Sequence, residues 1–502
     1  MTTKNLENDM DLAKLTGLTV YPRSVTETSG ATYFLTRDDG RKRLGVLGDS
    51  SDFEEREQQG EVALCPLTAA NAATLREKLP WLRSRTLGLQ TSAGCGDRLG
   101  LATPGHVRAV RKAAGIAPIF AQQSMRENAR TYRSPQQVMD DALWGIFQEG
   151  WRQPWGADAD HLKTSEDIDI CVAAGYTFFT VDPGDHVDNE AHTAPMEVLK
   201  DKIHALPWDE LEDSPEGLHT RYLDRLFEVE NLKLEFNHPT LARAAAKYGR
   251  AIAHTVRMYR HLDSQTKNFE LEMSVDETET PTSIEEHFFI ASELRRLGVE
   301  WVSLAPRYIG RFEKGVDYIG DSSIFPSVAG QALAEFETEL AKHAAIARTL
   351  GPYKLSIHSG SDKFSIYPII AKHTRGLVHL KTAGTSYLEA LRAVAQVQPA
   401  FFRDILGYAI ERYPVDRATY HVSAELANVP ALESLVNADL PTLLDQFDAR
   451  QVVHVTYGSM LDRFGNRLLA TLREHEEVHY TLLEVHFDRH LLPFVKRETK
   501  SE

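Results

Sequence analysis

From about residue 84 the chain alternates between two hydrophobic periods. Short segments with every second residue apolar are followed by longer ones with the three-to-four spacing of amphipathic helices. The strand-type segments predicted are 86–91, 117–122, 156–161, 177–182, 269–275, 301–306, 354–358 and 377–381. Helical patterns at 104–114, 135–149, 165–174, 284–297, 329–349 and 387–394 separate or follow them. Such alternation implies a parallel sheet covered by helices, and eight units are the number that closes a (β/α)8 TIM-type barrel. An open doubly wound sheet is the alternative. It is disfavoured because no Gly-x-Gly-x-x-Gly follows the first predicted strand.

The flanks have a different rhythm. Residues 1–83 read as a small α+β module, with strand-like stretches at 18–21, 31–35, 43–47 and 61–64 and a helix at 69–78. A lid or an oligomerisation element is its expected role, which admits a homo-oligomer. The barrel is expected over 84–400, interrupted at 187–268 by a mostly helical insertion that includes a helix over 239–261. The remainder, 401–502, reads as a mainly helical extension. Helices are predicted at 399–412, 460–474 and 478–496, with strand-like pieces at 419–423 and 451–456.

The strand interiors carry the chemistry. Phe269, Leu271, Met273 and Val275 alternate with Glu270, Glu272, Ser274 and Asp276, and Val378 and Leu380 alternate with His379 and Lys381. One face can meet the outer helices. The other points into the barrel, where charge is costly unless paired, hydrogen-bonded or metal-bound. A purely structural barrel fills that space with branched aliphatics.

Candidate functional residues therefore cluster at strand ends, the catalytic face of a barrel. The third strand ends in Asp158-Ala159-Asp160-His161. Neighbours in a regular strand point in opposite directions, so a bulge or loop is required to turn both Asp160 and His161 inward. Asp160 could instead cap the next helix. The fourth strand ends at Asp182, inward by parity, and Asp185 and His186 follow in a turn as loop ligands or ordinary caps. Glu272 is the strongest carboxylate candidate. Glu270, one layer deeper, reads as a partner of an inward cation, and such a pair suggests one acid held neutral and one ionised. His358 and His379 lie inward on neighbouring strands and, with His161, form a plausible three-imidazole site for a catalytic divalent ion. Each could instead be structural. The loops at 359–363 and 383–386, including Ser359, are small and rich in donors, as in anion-gripping barrel loops. Lys381, Arg307 and Arg98 could add positive charge for a substrate, or serve in ordinary ion pairs.

Composition narrows the partners. With 56 basic and 72 acidic residues the net charge is −16, which argues against a nucleic-acid surface. Three separated cysteines without a CxxC pair fit a reducing cytoplasm, and no disulfide framework or cysteine-based zinc site is expected. No apolar run approaches the roughly 18 residues of a membrane span, and the first residues do not read as a targeting signal. His475-Glu476-Glu477-Val478-His479 matches HExxH, but its charged surroundings suggest a solvated helix face.

Taken together, Gly94–Gly100, Phe120–Ser124, Gly156–Lys163, Phe179–Val187, Ser274–Thr282, His358–Ser365 and His379–Leu388 resemble the tagaturonate epimerase family over roughly residue 84 to past Val455. The resemblance implies interconversion of tagaturonate and fructuronate with one divalent metal ion, zinc, nickel, manganese or cobalt. It assigns Asp160 as proton acceptor, Glu272 as proton donor, and His161 and His358 as metal ligands, with His379 offered as the third. Some relatives act on neutral ketohexoses, so tagatose/fructose 4-epimerisation stands as an alternative. An aldolase or sugar isomerase sharing the enediolate chemistry is a second, and a sugar-acid sensor on a degenerate barrel a third.

Overall fold

The computed structural model describes residues 12–38, 40–320, 329–358, 362–382 and 384–495. Eight parallel strands close into a barrel: β1 (Ser92–Gly94), β2 (Ala117–Ser124), β3 (Gly156–Leu162), β4 (Phe178–Val181), β5 (Glu270–Ser274), β6 (Ser303–Ala305), β7 (Lys354–Ile357) and β8 (Val378–Lys381). Each pairs with the next, and β8 closes on β1 through His379↔Ser92 and Lys381↔Gly94.

Seven strands lie where the alternation predicts them; the first does not. Segment 86–91 fits the pattern, yet Gly88 adopts φ +63°, outside the regular strand conformation. The segment instead crosses the lower end of the barrel, where Glu270 Oε1 accepts from the Gly88 amide and, at 2.8 Å, from the Leu87 amide. The strand itself is Ser92-Ala93-Gly94, too short and small to show periodicity. Gly94 is required there, since a Cβ would lie 2.9 Å from Gln122 Cγ.

The outer barrel layer includes α1 (Thr103–Lys112), α2 (Pro135–Glu149), α3 (Ser165–Ala174), α4 (His238–Gln265), α5 (Ile284–Arg296), α6 (Ala329–Leu350), α7 (Tyr367–Thr374) and α8 (Thr385–Val397). Several ends are written locally. Ser134 with Gln137, Thr164 with Asp167 and Ser283 with Glu286 form capping boxes, and Gly150 and Gly175 take left-handed C-terminal positions. Leu271, Met273, Phe179, Val181, Leu304, Leu355 and Leu380 are all buried in the continuous core formed with α1–α7. The inner face carries Asp158, Thr180, Glu270, Glu272, Ser303, Lys354, Ser356, His379 and Lys381, every one buried.

Residues 19–65 form a six-stranded antiparallel sheet, followed by a helix over Ala69–Lys78. The carboxyl-terminal region is helical: α9 (Pro399–Asp416), α10 (Phe447–Val455), α11 (Tyr457–Glu474) and α12 (Glu476–Leu491). Neither strand-like piece there is a strand. Val452, Val453 and Val455 are buried inside α10, where tertiary packing overrides their β-branched preference. Residue 419 ends a 3-10 turn, and 420–423 continue without strand pairing.

The HExxH string is not a solvated face either. Glu476 and His479 are buried, and Glu476 receives the Tyr21 hydroxyl at 2.7 Å, Arg37 at 2.8 Å and Lys42 at 3.1 Å. It ties the amino-terminal sheet to α12. Among the described residues no helix is long and apolar enough to cross a membrane.

Candidate active site

The site begins with an irregularity in β3. Alternation turns Asp158 and Asp160 into the barrel and would turn His161 out. Instead the pairing with β4 slips, Phe179↔Ala159 being followed by Val181↔Leu162. At the extra residue His161 takes φ +54°, a left-handed conformation that costs a β-strand residue energy and persists only where surroundings enforce it. The bulge delivers its imidazole to the mouth. Its Nδ1 lies 3.3 Å from Asp182 Oδ2, its Nε2 3.7 Å from Asp160 Oδ1, and its ring centroid 5.3 Å from that of His358.

His358 stands just past β7 with a carboxylate at each nitrogen. Nε2 is 2.7 Å from Glu272 Oε1, and Nδ1 is 3.2 Å from Asp276 Oδ1. From β8 the Lys381 ammonium enters beneath, 3.0 Å from Asp158, 2.8 Å from Asp160 and 2.9 Å from Glu272. Gln122 donates to the other Asp160 oxygen at 2.9 Å. Glu272 Oε2 has no hydrogen-bond partner among the described residues.

These contacts set the charges. Burial works against ionisation of Glu272, yet Lys381 and His358 hold its carboxyl well below the usual range. Asp160 behaves likewise, burial being outweighed by Lys381, His161 and His358. Burial would keep the imidazoles neutral, but Asp160 and Asp182 raise His161 to about 10, and Asp276 and Glu272 raise His358 to about 9. Glu270 shifts the other way: burial raises it although Lys354 and two amides oppose. The two inward glutamates are thus split in the direction their layers predict. The mouth is a buried pocket that favours positive charge at the imidazole pair.

Asp160, His161, His358, Glu272 and Lys381 therefore converge, with Asp182 behind His161. Asp160, His161 and His358 present ligand atoms within 4.8 Å of one another, a donor set able to hold a metal ion. His379 does not join them. The register pairs it with Ser356, two residues below His358, or roughly 6.6 Å down the strand. There its Nδ1 meets Ser92 Oγ at 2.9 Å and its ring lies 5.1 Å from Phe178. Arg307 is held by its own loop, donating to the Tyr308 carbonyl at 2.9 Å and that of Gly310 at 3.1 Å. Arg98 is buried, paired with Glu127 at 2.6 Å and stacked 3.7 Å over Tyr457, and its Nη1 has no partner among the described residues. Ser359 lies outside the described residues, as do 360, 361 and 383.

Arg98, Arg126, Asp160, His161, Lys314, His358, Lys381 and Tyr420 share one pocket. It adjoins a cavity of about 380 Å³, within the usual range for small ligands, bordered by Asp276, Arg307, Arg311 and Tyr420. Arg126, Lys314 and Tyr420 escaped the sequence reading. Arg126 stands two residues past the end of β2, a position that could have flagged it. Lys314 and Tyr420 come from a loop and from the carboxyl-terminal region, and carry no local signal. Asp276 was visible as the last inward residue of the 269–276 alternation, though not as a partner of His358.

A closed parallel barrel with acids, imidazoles and a buried ammonium at the carboxyl ends of its strands is the layout of a (β/α)8 enzyme. Within that class the chain belongs to the tagaturonate epimerase family, whose model (UxaE) matches residues 21–493, and it is an isomerase. It is 44% identical over 483 residues to a tagaturonate/fructuronate epimerase of Thermotoga maritima, covering 95% of this chain and 96% of that one. It also matches the native crystal structure of the fructuronate-tagaturonate epimerase UxaE from Cohnella laeviribosi, with TM-score 0.89, 38% identity and coverage of 98% and 99%. A glycerol complex of the same protein matches equally well.

Proposed function

We propose that this protein interconverts D-tagaturonate and D-fructuronate, inverting the carbinol carbon β to the ketone by retro-aldol cleavage and re-addition. The observation that carries the reading is the placement of Asp160 and Glu272, two ionised acids 2.8 and 2.9 Å from the same Lys381 ammonium and beside two imidazoles. The hydrogen on that carbon is not acidified by enolisation, so a proton must be taken from its hydroxyl instead. Asp160, oriented by Gln122 and Lys381, takes that proton as the carbon–carbon bond breaks. The aldehyde fragment rotates, the bond re-forms on its other face, and Glu272 protonates the new alkoxide. Glu272, ionised at rest, takes up one proton before each turnover and Asp160 sheds the one it gained afterwards, which closes the proton count. Each acid–base role is worth about 10²–10⁴-fold.

His161 and His358 are the proposed metal ligands. The third donor falls to a carboxylate at the same level, because His379 lies a layer below. When bound, a divalent ion would supply Lewis-acid polarisation of the ketone oxygen. Arg98, which lines the pocket and whose Nη1 has no partner among the described residues, together with Arg126 and Lys314, is proposed to receive the uronate carboxylate.

Incubation with each of several divalent metals and with tagaturonate or tagatose, followed by NMR, tests the reading. Epimerisation of the uronate that stops on chelation and returns with metal is expected. Undiminished turnover after exhaustive metal removal overturns metal dependence, and released three-carbon fragments would identify an aldolase.

A further inference from the structure

About the carboxyl-terminal helix lies a second cluster that the epimerisation does not use. Four residues past His358, Asp362 meets His486 and His490, which lie one turn apart on α12. Asp362 Oδ1 is 3.1 Å from His486 Nε2 and 3.0 Å from His490 Nε2, and the two Nε2 atoms are 3.2 Å apart. All three residues are buried, with His490 fully so.

We propose that Asp362, His486 and His490 form a second divalent-cation site, of the zinc type, that fastens the segment after β7 to α12. Three donor atoms at these separations form one face of a small tetrahedron. A tetrahedral ion with bonds of about 2.0–2.1 Å has ligands about 3.3–3.4 Å apart, a few tenths of an ångström wider than found here. The second atoms of the ligands are engaged in the manner of a metal's outer shell. His490 Nδ1 lies 2.9 Å from the Tyr367 hydroxyl, His486 Nδ1 is 3.5 Å from Glu389 Oε1, and Asp362 Oδ2 is paired with Arg450.

The tautomer decides between an ion and a metal-free cluster. With Nε2–H inward, His486 donates to Asp362 at 3.1 Å; with its Nε2 lone pair inward, it faces the carboxylate as a ligand would. Burial keeps His490 neutral, moving it down to about 4 although Asp362 opposes. A cation at the centre turns both Nε2 lone pairs and the carboxylate charge into favourable contacts, and one coordination position remains for a water. Two metal-free arrangements compete: neutral imidazoles whose Nε2–H groups donate to Asp362, and an imidazolium at His486 held between Asp362 and Glu389.

The test uses the full-length protein loaded with zinc, with metal counted per chain after gel filtration and located by anomalous scattering at the zinc edge. The expected result is an anomalous peak within bonding distance of both Nε2 atoms and Asp362. In His490→Gln the count should fall by one ion per chain, with the barrel site unaffected. Conversely, an ion lost in His161→Ala but not in His490→Gln belongs to the barrel, so the two sites succeed or fail separately. Should His490→Gln not fold, the anomalous map of the unsubstituted protein decides. Wild-type crystals without density at the cluster, or an unchanged count in folded His490→Gln, overturn the proposal in favour of a metal-free hydrogen-bonded cluster.

Discussion

His358 lies between two carboxylates, its Nε2 2.7 Å from Glu272 and its Nδ1 3.2 Å from Asp276. A residue proposed to bind metal is therefore hydrogen-bonded to the residue proposed to carry a proton. Substitutions that separate those roles are the sharpest checks on the site.

Glu272→Gln keeps size and hydrogen-bonding capacity but removes the titrating group. Metal content is expected to stay at the wild-type level while turnover of tagaturonate falls about 10²–10⁴-fold. Normal turnover by NMR would remove Glu272 from acid–base chemistry.

His161→Ala and His358→Ala are each expected to reduce bound divalent metal. Asp182→Asn, which alters the partner of His161 Nδ1, is expected to weaken metal binding by about 10–100-fold without abolishing it. Equilibrium dialysis separates these outcomes. Full occupancy in both alanine variants would contradict the assignment.

Arg98→Met tests how the substrate's terminal group is recognised. A buried charged hydrogen bond is worth about 1.5–3 kcal/mol, so kcat/KM for the uronate is expected to fall about 10- to 100-fold. Activity toward a neutral ketohexose should fall much less, and equal losses for both substrates would assign Arg98 to structure through Glu127.

Lys381 balances three buried acids. Lys381→Met leaves Asp158, Asp160 and Glu272 without their shared ammonium, and a destabilisation of about 3–5 kcal/mol is expected by denaturant unfolding. Unchanged stability would mean the acids take up protons at little cost.

Away from the mouth, His343 is buried against His287, with Nδ1 atoms 2.8 Å apart, and burial lowers its pKa to about 3. The unfolded chain binds this proton below about pH 6.5, the folded one only near pH 3, so stability falls as pH drops through that window. His343→Gln is expected to flatten the acid limb of a Tm-against-pH curve while leaving pH 8 behaviour nearly unchanged. An identical acid limb would show that His343 does not contribute.

Much of this architecture was legible because its signals are local. Alternation within β3, β4, β5, β7 and β8 placed the inward acids, imidazoles and lysine, and apolar spacing placed the helices that the capping boxes at Ser134, Thr164 and Ser283 begin. The parity conflict between Asp160 and His161 even required the bulge that β3 contains. Segment 86–91 misled because alternation does not reveal a left-handed Gly88. Residues 451–456 misled because β-branched side chains pack equally well on a buried helix.

By itself, then, the sequence determined the eight-unit barrel and which side chains face inward, since both follow from spacing along one segment. Only the tertiary structure decided their level and their company. Strand register put His379 a layer below His358, and chain closure brought Arg98, Lys314 and Tyr420 to the same pocket. Distances between remote segments depend on how strands are staggered and helices docked, and no local pattern encodes those quantities.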